Sequence, residues 1–149
     1  MSLSDARAAV VETLPPLFPV FQVEAHGVSF TESELAMLLG RAPCLLVAVL
    51  RLHDYASIGM HRWSASVDWV AVLLAKDGAS QRAELALESA HALIACLPGQ
   101  RWGLGTAACK PPDMTSIDAQ NLYSGHANNL SIAAWAVSWT QTFTFEDAS

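Results

Sequence analysis

The last part of the chain contains a long alternation of side-chain character. From Ala133 onward every second residue is apolar or amphipathic: Ala133, Trp135, Val137, Trp139, Gln141, Phe143 and Phe145. The residues between them are small or hydroxylated, and a period of two places the two sets on opposite faces of a β-strand. At about a dozen residues this strand exceeds the usual five or six. It must therefore be paired within a sheet, because an unpaired strand of this length would be an adhesive edge.

Five further segments are predicted to be strands. They are residues 19–25, a buried strand at 44–53, a strand at 62–76, a short edge segment at 102–106 and a polar strand at 114–123. The residues between His53 and Arg62 are predicted to form a loop. On one face of the 62–76 strand, serines and Asp68 give way to Val70 and Leu74. This change predicts that the strand runs from an exposed end into a covered one.

Three helices are predicted from their caps and stops. The first begins at Ser2 or Ser4 and ends before Pro15, which cannot continue a helix. A capping box from Thr31 to Glu34 starts a short helix at 32–39. The longest runs from Ser80 to about Leu97 and has an apolar stripe at helical spacing. The stripe residues are Ala83, Leu87, Ala90, His91, Ile94 and Leu97.

The order of these elements indicates the fold class. Neighbouring strand segments favour antiparallel hairpins over a parallel, doubly wound sheet. We therefore predict one α+β domain over residues 1–149. It contains a mainly antiparallel sheet of five to six strands, with two or three helices packed on one face.

Composition restricts the function classes. The chain is 52% hydrophobic and only 15% charged, so either its core is large or other chains cover apolar surface. A net charge of −6 argues against general nucleic-acid binding, which needs a basic footprint. No apolar run approaches the roughly 20 residues of a membrane-spanning helix. Three cysteines without a paired motif fit a reducing, cytoplasmic compartment.

The candidate reactive groups form no recognised catalytic or metal-binding pattern. The five histidines lack the spacing of a metal site, and His91 is predicted to pack in the core. Ser124 lies near His126, but no acid is placed to orient the imidazole. Cys109 is predicted to be the exposed thiol. Asp68 and Asp118 could pair for acid–base chemistry, although a solvated strand face explains them more simply. We therefore expect no enzyme activity, no cofactor and no metal.

Three segments resemble a known family. They are Pro-Gly-Gln-Arg-Trp-Gly-Leu at 98–104, Asn-Leu-Tyr-Ser-Gly at 121–125, and Ala-Trp-Ala-Val-Ser-Trp-Thr-Gln at 134–141. Together they resemble the Mu-like phage and prophage tail proteins related to tail terminators. The resemblance implies a structural protein of the virion tail, assembled in the host cytoplasm. It implies a ring, typically hexameric, that closes the tail tube and meets the head connector.

Loops are the predicted partner surfaces, since loops carry binding on a rigid scaffold. The candidates are Tyr55, Met60, His61 and Arg62 in the first loop, and Tyr123 and His126 in a turn at 123–129. The alternative is a small-molecule-binding or hydrolytic domain that uses the His53–Arg62 loop and the Tyr123–His126 turn. It requires His53, His61 and His126 to converge around a pocket.

Overall fold

A computed structural model describes residues 1–27, 43–76, 79–127 and 130–146 of the chain. It contains helices α1 (Leu3–Thr13) and α2 (Ala79–Cys96), and a 3₁₀ turn at Pro15–Leu17. The strands are β1 (Gln22–Ala25), β2 (Cys44–Gly59), β3 (Arg62–Lys76), β4 (Asp113–Ala127) and β5 (Leu130–Glu146). The helix predicted at 32–39 lies outside the described residues.

The five strands form one sheet in the order β1-β2-β3-β5-β4. β1 runs parallel to β2, and every other neighbouring pair is antiparallel. The predicted α+β class with a mainly antiparallel sheet is confirmed. β3 and β5 pair without interruption from Arg62 opposite Glu146 to Lys76 opposite Ile132. This long pairing forms the centre of the sheet. The long C-terminal strand is therefore paired, and it is not left as an adhesive edge.

The first helix begins as its cap residues predict. The Ser2 side chain accepts a hydrogen bond from the Asp5 backbone N–H, and the Asp5 carboxylate accepts one from the Ser2 backbone N–H. These bonds satisfy two N–H groups that a helix start otherwise leaves unpaired. The bond from the Ser2 backbone also lowers the pKa of the Asp5 carboxyl. Ala6 and Val10, one turn apart, are the buried residues of this helix.

Most buried side chains belong to one large cluster that contains one face of the sheet. Its sheet residues include Val67, Trp69, Leu73, Val137, Trp139 and Phe143, and both described helices contribute to it. A smaller cluster on the opposite face contains Leu46, Val72 and Leu74. Along β3 that second face changes from the partly exposed Ser64 to the buried Leu74. The predicted passage from an exposed end into a covered end is confirmed.

The buried stripe of α2 agrees with the predicted one only in part. Ala86, Ala90, Leu93 and Leu97 are buried in or beside this helix, whereas Leu87 and His91 are exposed. The prediction that His91 packs in the core is wrong. Ala90 and Leu97 are buried as predicted, and Ile94 is partly buried against the core. Small alanines occupy half of the buried stripe, so the larger Leu87 gave a misleading signal about which side of the helix faces the sheet.

The segment between α2 and β4 has turns in place of the strand predicted at 102–106. It is fixed to β5 by Gln141, which is 1% exposed. The Trp102 indole N–H donates to Gln141 Oε1 over 2.8 Å. Gln141 Nε2 donates to the carbonyls of Gln100 at 3.0 Å and Lys110 at 2.7 Å. The buried amide thus uses both its ends, as a buried polar group must.

Cys109 is placed differently from the prediction, whereas Cys44 in β2 is buried. Cys109 is buried, bridges to Phe143 in the sheet, and is not an exposed thiol. Cys96 is partly exposed, yet desolvation raises its pKa to about 11. Because the thiolate is the reactive form, Cys96 is a poor nucleophile at neutral pH.

Candidate functional site

The first group of predicted site residues lies at the tip of a long hairpin. Residues 54–61 are not a loop, because β2 continues to Gly59 and β3 begins at Arg62. Gly59 pairs with Arg62, so only Met60 and His61 form the turn. We call Tyr55, Ile58, Met60, His61 and Arg62 the hairpin tip. The sequence prediction ended the strand too early at this point.

Backbone bulges explain this error. The register of β2 against β3 shifts between Val49 and Arg51, between His53 and Ala56, and between Ser57 and Gly59. Each shift adds residues to β2 and breaks the period of two on which strand prediction depends. Asp54, inside the second bulge, has a positive φ of 56°. The sequence of β2 beyond His53 therefore does not alternate, although it is a strand.

The other two predicted contact residues, Tyr123 and His126, do not lie at the hairpin tip. Both belong to β4, where Tyr123 pairs with Ala134 and His126 with Ser131 of β5. The predicted turn is therefore wrong over residues 123–127, and residues 128–129 lie outside the described part of the chain. His53 pairs with Ser66, which pairs with Thr142. Eleven residues of β5 separate Thr142 from Ser131, a distance of about 37 Å at strand rise.

The hairpin tip and the pair Tyr123 and His126 therefore lie toward opposite ends of the sheet. His53, His61 and His126 do not converge, and the pocket that the hydrolytic alternative requires is not formed by them. Asp118 lies across from Ser138, and Asp68 across from Thr140 on the other side of β5. A strand separates these two carboxylates, so they do not pair for acid–base work either.

A polar cluster surrounds Asp68 at the base of the hairpin. Asp68 Oδ2 accepts from Arg51 Nε at 2.9 Å. Asp68 Oδ1 accepts from Thr140 Oγ1 at 2.6 Å and lies 2.8 Å from His53 Nε2. The other ring nitrogen, His53 Nδ1, lies 3.0 Å from Asp54 Oδ2. The imidazole thus lies between two carboxylates, one on β3 and one in the β2 bulge.

This arrangement shifts the pKa values of both His53 and Asp68. The hydrogen bond to Asp68 raises the pKa of His53, partial desolvation opposes it, and the bond to Asp54 adds to the rise. Burial acts to raise the pKa of Asp68, but the hydrogen bonds from Thr140, His53 and Arg51 together outweigh it and lower that pKa. The protonated imidazole and the ionised carboxylate therefore stabilise each other.

The same geometry decides what His53 can do chemically. A general base needs a free ring nitrogen within hydrogen-bond reach of the proton it removes. Both nitrogens of His53 already meet carboxylates, and the raised pKa favours the protonated form. The cluster therefore serves to hold the Asp54 bulge against β3, and it is not poised for proton abstraction.

The hairpin tip exposes apolar side chains. Met60 is 91% exposed, Tyr55 is 66% exposed and Ile58 is 47% exposed. Met60 and His61 have φ values of 48° and 63°. Two-residue turns of this kind usually take Asn-Gly or Asp-Gly, because the left-handed region costs other residues about 1–2 kcal/mol each. The chain thus places a bulky, highly exposed apolar residue in a strained position.

A row of aromatic rings connects this tip to the core. Ring centroids lie 5.7 Å apart for Tyr55–Trp63, 4.7 Å for Trp63–Phe145 and 6.3 Å for Phe145–Phe143. The row continues from Phe143 to Trp69 at 5.6 Å, to Trp139 at 6.2 Å and to Trp102 at 5.9 Å. Trp69 and Trp139 are fully buried, which identifies them as core residues and not as a ligand platform.

Ile58 and Arg51 are the functional candidates that the sequence prediction missed. Ile58 follows two bulges, so its exposure could not be read from alternation. Arg51 meets Asp68 only because the first bulge sets the register. The one available signal was the apolar pair Ile58 and Met60 flanking Gly59, which is unusual for a solvated turn.

Comparisons with known proteins give no further assignment. No family model and no curated protein matches this chain. Within residues 1–27, 43–76, 79–127 and 130–146, no group of three His, Cys, Asp or Glu side chains could hold a metal ion. Over the same residues, no helix is long and apolar enough to cross a membrane.

Proposed function

We propose that this protein is a non-enzymatic structural subunit that associates with other protein chains through its hairpin tip. The observation that carries the proposal is the exposure of Met60 on a strained turn. Strain in a folded protein persists where the surrounding structure imposes it, and it concentrates at functional sites. An exposed, bulky apolar residue held there suits a contact with another protein surface.

Within that class, we propose a phage or prophage tail protein that terminates or completes the tail tube. This part rests on the sequence resemblance at residues 98–104, 121–125 and 134–141. The assembled form would be a ring, typically a hexamer, with the tail tube and the head connector as its partners. The two or three helices would lie on one face of the sheet and leave the strand ends for contacts.

The hydrolytic alternative has no observation in its favour. It depends on imidazoles that the strand register keeps apart, and His53 is held between Asp54 and Asp68. Replacing His53 would therefore alter stability and not a reaction rate.

Native mass spectrometry of the purified chain tests the association. We expect oligomers of one size, and negative-stain microscopy of the same sample should show rings alone or on tube ends. Met60→Asp should shift the distribution toward monomer. Met114→Asp is a matched control, because Met114 is also exposed but lies on β4. A chain that stays monomeric at every concentration and never binds tube protein would contradict the proposal.

Two further substitutions separate the predicted surfaces. Arg62→Ala, at the tip, should leave folding intact and weaken assembly. Tyr123→Ala tests the β4 site that the sequence also nominated. Loss of the folded state, measured by circular dichroism, would instead assign either residue to the stability of the sheet.

A further inference from the structure

A second apolar surface lies at the other end of the molecule. A groove of about 260 Å³ runs between the Leu17–Phe21 segment and α2. We call it the α2 groove, and its lining includes Leu17, Phe18, Val20, Phe21, Leu85 and Ala92. Leu17 and Val20 on its wall are 50% and 59% exposed. Large aliphatic groups thus face solvent here as they do at the hairpin tip.

The volume of the α2 groove indicates the kind of occupant. Small-molecule sites usually measure about 300–1,000 Å³ and contain several convergent polar groups. This groove is smaller, and Glu88 is the charged residue among those that line it. It suits one or two apolar side chains with a cation beside them better than a cofactor or metabolite.

The hairpin tip presents apolar side chains with a cation beside them. Met60 is unbranched and flexible, so it fills irregular apolar gaps well. Ile58 adds a second exposed aliphatic group, and Arg62 lies immediately after the turn. The Arg62 guanidinium and the Glu88 carboxylate have opposite charges. Polarity and charge therefore match between two surfaces of the same chain.

A molecule cannot bring its own tip to its own groove. Phe21 precedes Gln22, which pairs with Cys44 at the start of β2, whereas the tip follows Gly59 at the end of β2. Cys44 pairs with Leu74 and Gly59 pairs with Arg62, and these β3 residues lie twelve positions apart, or roughly 40 Å. The complementary partner must be another copy of the chain.

We propose that the hairpin tip of one copy docks in the α2 groove of the next copy, with Met60 as the central anchor. Contact between two different surfaces is head-to-tail, and such contacts generate closed rings when the rotation between copies closes. The inference deepens the proposed function and rests on it, because it names the surfaces through which the subunits would associate. A standard interface buries about 800 Å² per partner, so the anchor is the energetic centre of a larger contact.

Disulfide cross-linking tests the docking directly. Met60→Cys and Val20→Cys are prepared separately with tags of different mass, mixed and gently oxidised. Both positions are exposed, and the raised pKa of Cys96 keeps that native thiol less reactive. We expect a mixed dimer of one Met60→Cys chain and one Val20→Cys chain. The double variant should give a ladder whose longest closed product equals the number of subunits in the ring.

Other results would overturn the docking, and they separate its failure from that of the proposed function. Dimers in the Met60→Cys sample alone would mean that tips meet tips. No cross-link in a sample that native mass spectrometry shows to be oligomeric would place the interface elsewhere. A monomer at all concentrations would remove both the docking and the association itself.

A charge variant gives an independent check. Glu88→Arg should weaken association roughly tenfold or more, as loss of a central interface contact commonly does. Glu84→Arg is the matched control, because Glu84 is exposed one turn earlier on α2 and does not line the groove. Equal effects of the two substitutions on association would overturn the assignment of Glu88 to the contact.

Discussion

The amide of Gln141 allows a quantitative test of the fold. We expect Gln141→Met, which keeps the length of the side chain but removes its polar atoms, to destabilise the protein by about 3 kcal/mol. The substitution removes the acceptor for the Trp102 indole and the donor for the carbonyls of Gln100 and Lys110. A buried group left without a partner costs about 1–3 kcal/mol.

The separate contributions support that figure. The bond between Trp102 and Gln141 is fully buried, whereas the two carbonyl bonds are only partly buried. We therefore assign about 2 kcal/mol to the indole N–H left without an acceptor and about 0.5 kcal/mol to each carbonyl, which water can partly solvate. A domain of this size is stable by about 5–15 kcal/mol, so the variant should remain folded. Its melting temperature should fall by about 6–12 °C.

Urea unfolding followed by far-ultraviolet circular dichroism measures this loss without relying on tryptophan emission. Thr142→Val, at the next position on the opposite face of β5, is the control. Trp102→Phe completes a double-mutant cycle, because removing both partners leaves no polar group unpaired at that bond. We expect a coupling energy of about 1–2 kcal/mol. A loss within about 0.5 kcal/mol of the control, or no coupling, would refute the argument that this amide fixes the segment to β5.

Three further predictions concern the hairpin. The cluster around His53 should stabilise the fold most between about pH 4 and 6.5. The pKa of His53 is raised by folding, so its contribution is lost as pH rises through the pKa of the folded state. The pKa of Asp68 is lowered by folding, so its contribution is lost as pH falls through the pKa of the folded state. The difference in unfolding free energy between wild type and His53→Asn should therefore shrink from pH 5.5 to pH 9, and a constant difference would contradict the linkage. Asp54→Asn should lower the pKa of His53, as measured by its imidazole proton shifts in an NMR titration; an unchanged value would remove Asp54 from the cluster. Met60→Asn combined with His61→Gly should stabilise the monomer by about 1–2 kcal/mol in urea unfolding while weakening association, because it relieves the left-handed strain; a less stable hairpin would show that the turn is not strained.

The elements that sequence patterning predicted best are those whose residues alternate without interruption. β3 and the core face of β5 fall into this group, since each residue pairs in register from Arg62 to Lys76. The cap at Ser2 was also predictable, because it depends on residues three apart. Both signals are local in the chain, and no competing contact overrides them.

The features that prediction missed depend on register between distant strands. The bulges in β2 shift its pairing, and Arg51 meets Asp68 only after that shift. Trp102 likewise has a left-handed φ and bonds to the distant Gln141, and neither feature can be read from the local sequence. The hairpin tip is an intermediate case. Its residues were predicted as a contact surface, but the sequence indicated a loop in place of a strand end.

That difference between a loop and a strand end changes what the hairpin tip can do. A hairpin of two strands alone is marginally stable, but β5 pairs with β3 as far as Arg62 opposite Glu146, so three strands reach the tip. The Tyr55–Trp63–Phe145 ring contacts and the His53–Asp68 bond then hold its two sides. A preorganised surface loses less conformational entropy on binding than a mobile loop. The rigid tip can therefore present Met60 to a partner in a fixed direction, which a subunit must do if successive copies are to repeat the same contact.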